Sequence, residues 1–102
     1  MIALATACII PCMTICTATA APMAGSGPGC KDKAIAAKLR GLQNTDPAYI
    51  EIWAKGMQDQ SCRGYGAGRE VTVEDRAEGM ACVRADDDEA CFWVRESMAP
   101  RR

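Results

Sequence analysis

Charge is absent from the first 29 residues of this 102-residue chain, and all 12 basic and 13 acidic residues follow them. The uncharged part begins with an apolar run and ends in small residues, including the Ala18-Thr19-Ala20 pattern that is typical of a signal-peptidase site. We therefore predict a secretory signal peptide over residues 1–20 and a secreted or periplasmic mature protein. The alternatives are an uncleaved N-terminal segment that anchors the protein in a membrane, a lipid-modified Cys8 and a buried N-terminal helix.

The cysteines give a second indication of export. The chain has seven cysteines, and four of them follow the predicted cleavage point. An even number of cysteines in a small exported domain indicates disulfides, here two. Zinc is a weaker explanation, because the four form no C-x-x-C pair and the chain has no histidine. The four disulfide-forming residues are predicted to be Cys30, Cys62, Cys82 and Cys91.

Composition divides the rest of the chain into a linker, one domain and a tail. Residues 21–29 contain many glycines and no charge, so we predict a flexible linker there. Residues 30–97 are predicted to form a single small disulfide-bonded domain, because a chain of about 80 residues has room for one core. Residues 98–102 are predicted to be a frayed tail.

Helical periodicity occurs twice within residues 30–62. The first helix is predicted from three apolar residues on one face, Ile35, Leu39 and Leu42. Thr45 or Asp46 can cap a second helix, and Pro47 suits its first turn. That helix is predicted to bury the face formed by Ile50, Trp53 and Met57, with Tyr49 and Ile52 flanking it. Because the connection is short, we expect the two helices to lie antiparallel as a hairpin.

Residues 66–97 change to patterns that are typical of strands. Residues 70–74 alternate, and residues 80–84 and 91–95 are rich in apolar side chains. We predict a three-stranded antiparallel meander against which the helical hairpin packs, so the predicted fold class is α+β. The turn before the last strand is predicted to be solvated because it contains the acidic residues Asp86, Asp87 and Asp88.

Strand pairing predicts which cysteines bond. Centring the last hairpin on residues 86–87 places Cys82 opposite Cys91, which can then form a disulfide. Cys30 and Cys62 bracket the helical hairpin, whose two ends return to one another, and they are predicted to form the second disulfide. Four cysteines allow three pairings, and this is the pairing that the predicted geometry favours.

The same register sorts the strand residues onto two apolar faces of the meander. One face is predicted to carry Ala81, Val83, Phe92 and Val94, and the other Met80, Cys82, Cys91 and Trp93. The helical hairpin can cover one face. For the other, either the strands curl into a small barrel or Met80 and Trp93 form a partly exposed contact patch. Burial of Trp93 in the core is the alternative to the contact patch.

Three short segments resemble a bacterial Src-homology-3-like domain, over residues 66–95 in all. They are Gly68-Arg69-Glu70-Val71-Thr72-Val73, Met80-Ala81-Cys82-Val83-Arg84 and Phe92-Trp93-Val94. This chain departs from the family pattern by an acidic run where a glycine turn is usual, and it is too short for five full strands. The resemblance implies a partial barrel and an envelope protein that binds cell wall or protein rather than an enzyme.

Composition also argues against several classes of function. A net charge of -1 does not suit a nucleic-acid binder, and the absence of histidine removes the usual general base. We predict no catalysis, no cofactor, no metal site and no membrane contact after signal cleavage. The predicted function is a periplasmic or envelope interaction module that binds a protein or peptidoglycan partner through Trp93. The alternative is a small secreted inhibitor or a structural or stress protein that acts through Asp86, Asp87 and Asp88.

Overall fold

The computed structural model describes residues 19–101, so nearly all of the predicted signal peptide lies outside the described residues. The described elements are β1 (Ala21–Pro22), β2 (Gly27–Cys30), α1 (Lys33–Arg40), α2 (Pro47–Gln58), β3 (Cys62–Tyr65), β4 (Glu70–Ala77), β5 (Met80–Arg84), β6 (Phe92–Arg95) and the 3₁₀ helix Glu96–Met98. Their combination confirms the α+β class. Neither α1 nor α2 has the length and apolar composition that a membrane crossing requires.

The strands form one antiparallel sheet of six strands in the order β1-β4-β5-β6-β2-β3, so the prediction of three strands is wrong. Strands β4, β5 and β6 are neighbours within it. Strands β1 and β2 come from the segment predicted to be a flexible linker, which instead lies in the sheet. Small residues are needed in β2, since a Cβ added at Gly29 would lie 2.9 Å from Cγ1 of Val94. Glycine is thus a packing requirement here rather than a sign of flexibility.

Both helices begin at aspartate caps. The Asp32 carboxylate accepts a hydrogen bond from the Ala34 amide at 2.8 Å, and the Asp46 carboxylate accepts one from the Ala48 amide at 2.8 Å. Pro47 occupies the first turn of α2, where its missing N–H has no helical partner in any case. The two predicted helices are therefore present, and of the two candidate caps for α2 the structure uses Asp46.

Helix α2 buries a different face from the predicted one. Ile50 and Met57 are 54% and 48% exposed. The side chains that α2 packs against the core are Trp53, as predicted, together with Tyr49 and Ile52. The reason lies at Gly56, which is buried so close to the disulfide that an added Cβ would lie 2.5 Å from Sγ of Cys62. This close approach fixes the rotation of α2 and turns Ile50 and Met57 outward.

The last hairpin has a register two residues away from the predicted one. Cys82 pairs with Trp93 rather than directly with Cys91. Because side chains alternate across a strand with a period of two, this shift leaves every residue on its predicted face.

Both predicted disulfides are present. Cys30 and Cys62 are direct partners on β2 and β3, with their Cα atoms 4.0 Å apart. Cys82 on β5 bonds to Cys91 just before β6, with the Cα atoms 5.3 Å apart. Disulfides persist in oxidising environments and are rare in reducing ones, so the two bonds indicate an oxidising environment for this protein.

The sheet has an apolar cluster on each face. The first cluster, under the two helices, contains Cys30, Ala36, Leu39, Cys62 and Met80. The second contains Met23, Tyr65, Val71, Ala81, Val83, Ala85, Phe92, Val94, Met98 and Ala99. Tyr65 and Val71 come from distant strands of the sheet order, so the sheet must curl around the second cluster. Met98 and Ala99 belong to this core, and the prediction that the tail frays at residue 98 is therefore wrong.

Candidate functional site

A groove of about 860 Å³ lies beside Trp93, between the end of α1, the α1–α2 connection and β6. Three other cavities in the described part of the chain are smaller, at about 560, 420 and 280 Å³. The described residues that line it include no carboxylate. The aromatic, cationic and amide side chains among them are Arg40, Gln43, Asn44, Tyr49, Trp93 and Arg95.

Trp93 contributes both to the core and to this groove. It is half-buried and packs against the cluster under the helices. On the sheet it is paired with Cys82 on one side and Cys30 on the other, so two disulfide-bonded residues hold its backbone. Nζ of Lys33 lies 5.2 Å from the centre of the ring. The indole is therefore held in one place, with part of its surface facing the groove.

Met80, the other residue of the predicted contact patch, is only 2% exposed. Helix α1 contacts β6, the neighbour of β5, and covers this face of the sheet. Met80 packs with Leu39 of α1 in the cluster under the helices. The prediction that Met80 reaches a partner from an exposed position is therefore wrong.

Two arginines stand at the groove without a carboxylate partner. Nη1 of Arg40 donates to the carbonyl oxygens of Glu78 and Gly79, at 3.1 and 3.3 Å, in the turn between β4 and β5. Nη2 of Arg95 donates to the carbonyl oxygen of Arg40 at 3.3 Å, where the end of α1 favours a cation. Neither guanidinium forms an ion pair with any residue in the range 19–101.

The predicted acidic turn is not freely solvated, because Asp88 folds inward. Its side chain is 2% exposed and is ion-paired with Arg63. The same carboxylate accepts hydrogen bonds from the Tyr65 hydroxyl at 2.6 Å and from the Ala85 amide at 2.9 Å. Asp88 thus ties the turn to β3 and is not available to a partner.

The other two aspartates of the turn, Asp86 and Asp87, lie against arginine side chains. Asp87 is exposed and accepts a hydrogen bond from Nη2 of Arg69 at 2.6 Å. Desolvation acts to raise the pKa of Asp87, but the charges of Arg69 and Arg63 outweigh it and hold the pKa below its ordinary value. Asp86 is 98% exposed, and its carboxylate lies 3.7 Å from Arg69. The turn is therefore held in place by ion pairs with Arg63 and Arg69.

Tyr65 is the titratable group that this network perturbs most. Burial raises the pKa of its phenol, and the hydrogen bond that it donates to the Asp88 carboxylate raises the pKa further. Its ring also meets Phe92 edge to face, with the ring centres 6.1 Å apart. Tyr65 therefore stays a neutral donor within the second core cluster over the ordinary pH range.

The thiol groups of the described chain are not free. Its four cysteines are all in disulfides. Within residues 19–101 there is no group of three or more cysteine, aspartate or glutamate side chains that could hold a metal ion.

Sequence reasoning missed three groove residues, Arg40, Tyr49 and Arg95. They come from α1, α2 and β6, so no local motif connects them. The only signal was Tyr49 at the start of α2, which flanks the predicted apolar face. The comparisons with known proteins add no further residue, because no family model, curated protein or solved structure matches this chain.

Proposed function

We propose that this protein is an exported, non-catalytic interaction module that binds a protein or peptidoglycan partner through the groove at Trp93. The observation that carries the proposal is the groove itself, where a fixed indole and Tyr49 adjoin amide and guanidinium groups. Ligand sites combine such apolar and aromatic walls with a few convergent polar groups. The two disulfides support export, because bonds of this kind are rare in reducing compartments.

The alternative of an inhibitor that inserts its acidic turn has less support. The Asp88 side chain is only 2% exposed, and Asp87 already pairs with arginine. Insertion would require these pairs to exchange for contacts with the target, and this exchange costs binding free energy. The groove residues need no such exchange.

The test uses the full-length oxidised protein in two binding assays: sedimentation with purified peptidoglycan, and retention on immobilised envelope proteins. We expect Tyr49→Ala to lower the bound fraction about fivefold to tenfold in one of the assays, because it removes an aromatic wall of the groove. Ile50→Ala is the matched control, since this neighbouring residue is exposed and does not line the groove.

Equal binding by the two variants in both assays would contradict the proposal, as would failure of the wild-type protein in both. Unfolding curves of the variants establish that each is folded under the conditions of the assay.

A further inference from the structure

We infer that the groove at Trp93 binds a sugar that carries a carboxylate group. This inference rests on the proposed function, because it takes the groove to be the binding site, and it adds the chemical class of the ligand. Three properties of the groove carry it: an unbalanced positive charge, two aromatic walls and a rim of neutral polar groups.

Arg40 and Arg95 differ from most other arginines of the described chain in having no carboxylate partner. Four other arginines of residues 19–101 have carboxylate partners, namely Arg63, Arg69, Arg76 and Arg84. Arg40 and Arg95 bond only to backbone carbonyl oxygens, and each does so through one terminal nitrogen. Their remaining N–H groups have no partner among the described residues. A guanidinium with free donors is well suited to a planar carboxylate, which it can bind through two parallel hydrogen bonds.

The carbonyl contacts also hold these two side chains in place. Arg40 is bound to a turn in which Glu78 and Gly79 both have positive φ angles, 57° and 77°, as a tight two-residue hairpin requires. Arg95 is bound to the end of α1. Because both guanidinium groups are already ordered, a bound anion costs less side-chain entropy than it would with free arginines.

The rest of the groove suits a sugar ring better than an apolar side chain. Trp93 and Tyr49 offer flat apolar surface, whereas Gln43, Asn44 and Ser97 offer groups that both donate and accept hydrogen bonds. Sugar hydroxyls need both kinds of partner, and the ring needs the apolar surface. A volume of about 860 Å³ is also within the range of small-molecule sites.

The experiment compares two sugars that differ in the carboxylate. N-acetylmuramic acid is N-acetylglucosamine with an added lactic acid ether, so the pair isolates the acid group. Each is titrated into the full-length oxidised protein while amide NMR shifts are followed. We expect N-acetylmuramic acid to shift the groove amides, Gln43, Asn44 and Arg95 among them, with at least tenfold higher affinity than the neutral sugar.

Variants of Arg95 test whether this arginine accounts for the preference for the acidic sugar. Arg95→Gln is expected to lower the affinity for N-acetylmuramic acid about tenfold and to leave the neutral sugar unaffected, while Arg95→Lys retains part of the affinity. Lys55→Gln is the control, since it removes one positive charge from α2 outside the groove. Added salt is expected to weaken wild-type binding to the acid more than binding to the neutral sugar.

The outcomes separate this inference from the proposed function. Equal affinity for the two sugars would overturn the inference, as would the absence of shifts with both. Tighter binding of pentaglutamate than of N-acetylmuramic acid at the same amides would also overturn it and would identify an acidic peptide as the occupant. In each case the proposed function is tested separately, by the effect of Tyr49→Ala in the two binding assays.

Discussion

Asp88 determines the conformation of the acidic turn at the level of single residues. Its carboxylate has partners on three sides, the Arg63 guanidinium, the Tyr65 hydroxyl and the Ala85 amide. Burying a charged carboxylate is favourable only while its hydrogen-bond donors remain. Removing the carboxylate or one donor leaves the other groups of the cluster desolvated and without a partner. Asp86, two residues earlier, is 98% exposed, and its carboxylate lies 3.7 Å from a single arginine, Arg69.

Replacing Asp88 should therefore destabilise the fold far more than replacing Asp86. We expect Asp88→Ala to lower the free energy of unfolding by about 2–3 kcal/mol, since it leaves Arg63 and Tyr65 without their acceptor. Asp86→Ala should change it by less than about 0.5 kcal/mol. Urea unfolding of the oxidised proteins measures both. Equal losses would show that the buried carboxylate has no special role.

The raised pKa of Tyr65 predicts that the protein loses stability at alkaline pH. In the unfolded chain a tyrosine ionises near 10.0, and the folded state raises the pKa of Tyr65 well above that value. The folded state therefore favours the neutral phenol. This contribution is complete below pH 10 and is lost as the pH rises above it toward the folded-state pKa, at a rate of at most about 1.4 kcal/mol per pH unit.

The free energy of unfolding should thus fall more steeply between about pH 10 and 11 in the wild-type protein than in Tyr65→Phe. Tyr49 is present in both proteins, so the difference between the two curves isolates Tyr65. Parallel curves would contradict the assignment.

At the scale of elements, the position of α2 depends on Gly56. A glycine inside a helix costs about 1 kcal/mol relative to alanine, so helix propensity alone favours Gly56→Ala. The structure predicts the opposite, because the added Cβ would lie 2.5 and 2.7 Å from Sγ and Cβ of Cys62. We expect a loss of about 1–3 kcal/mol in unfolding free energy.

Gly64→Ala is the control for this prediction. Gly64 lies in β3, and a Cβ added there meets no atom within 4 Å. Its effect should stay within about 0.5 kcal/mol. A gain of stability from Gly56→Ala would show that α2 can move away from the disulfide.

The elements that sequence patterns predicted are those stabilised by interactions between residues that are close together in the chain. The helices follow from their caps and apolar spacing, and the strands within residues 70–95 follow from one alternating segment and two apolar segments. Strands β1, β2 and β3 could not be predicted in this way, because their glycines and prolines are tolerated for contacts made far away in the chain, such as that of Gly29 with Val94. The inward face of α2 also depended on a distant contact, between Gly56 and Cys62.

For the whole molecule, the two disulfides supply stability that so small a core lacks. Loop-closure entropy gives about 3.7 kcal/mol for the Cys30–Cys62 loop and about 2.7 kcal/mol for the Cys82–Cys91 loop. Their sum is comparable with the total stability of about 5–15 kcal/mol that is usual for a domain. We therefore expect the fully reduced chain to be largely unfolded at 25 °C.

Circular dichroism with and without reductant tests this expectation. Replacing both Cys82 and Cys91 by alanine should be tolerated better than replacing both Cys30 and Cys62, by about 1 kcal/mol. A cooperative unfolding transition of similar midpoint in the reduced protein would contradict it.

Of the residues that line the groove, the sequence pattern identified Trp93 and the buried Met80. The other walls of the groove come from the end of α1, the start of α2 and the end of β6, and they meet only because the helical hairpin packs on one face of the sheet. The face of Trp93 followed from strand alternation, which is a local property. That Arg40 and Arg95 have no carboxylate partner among the described residues could not be predicted from a local pattern, because ion pairing depends on which carboxylates lie nearby after folding.

The order of strands has a consequence for when the chain can fold. Strand β2, near the start of the domain, lies between β6 and β3, and β1 pairs with β4. The sheet therefore cannot be completed until its last strand has been synthesised, and pairings so distant in sequence form slowly. The complete core, in which β6 joins the β1-β4-β5 part of the sheet to β2 and β3, therefore forms only after nearly the whole domain has been synthesised.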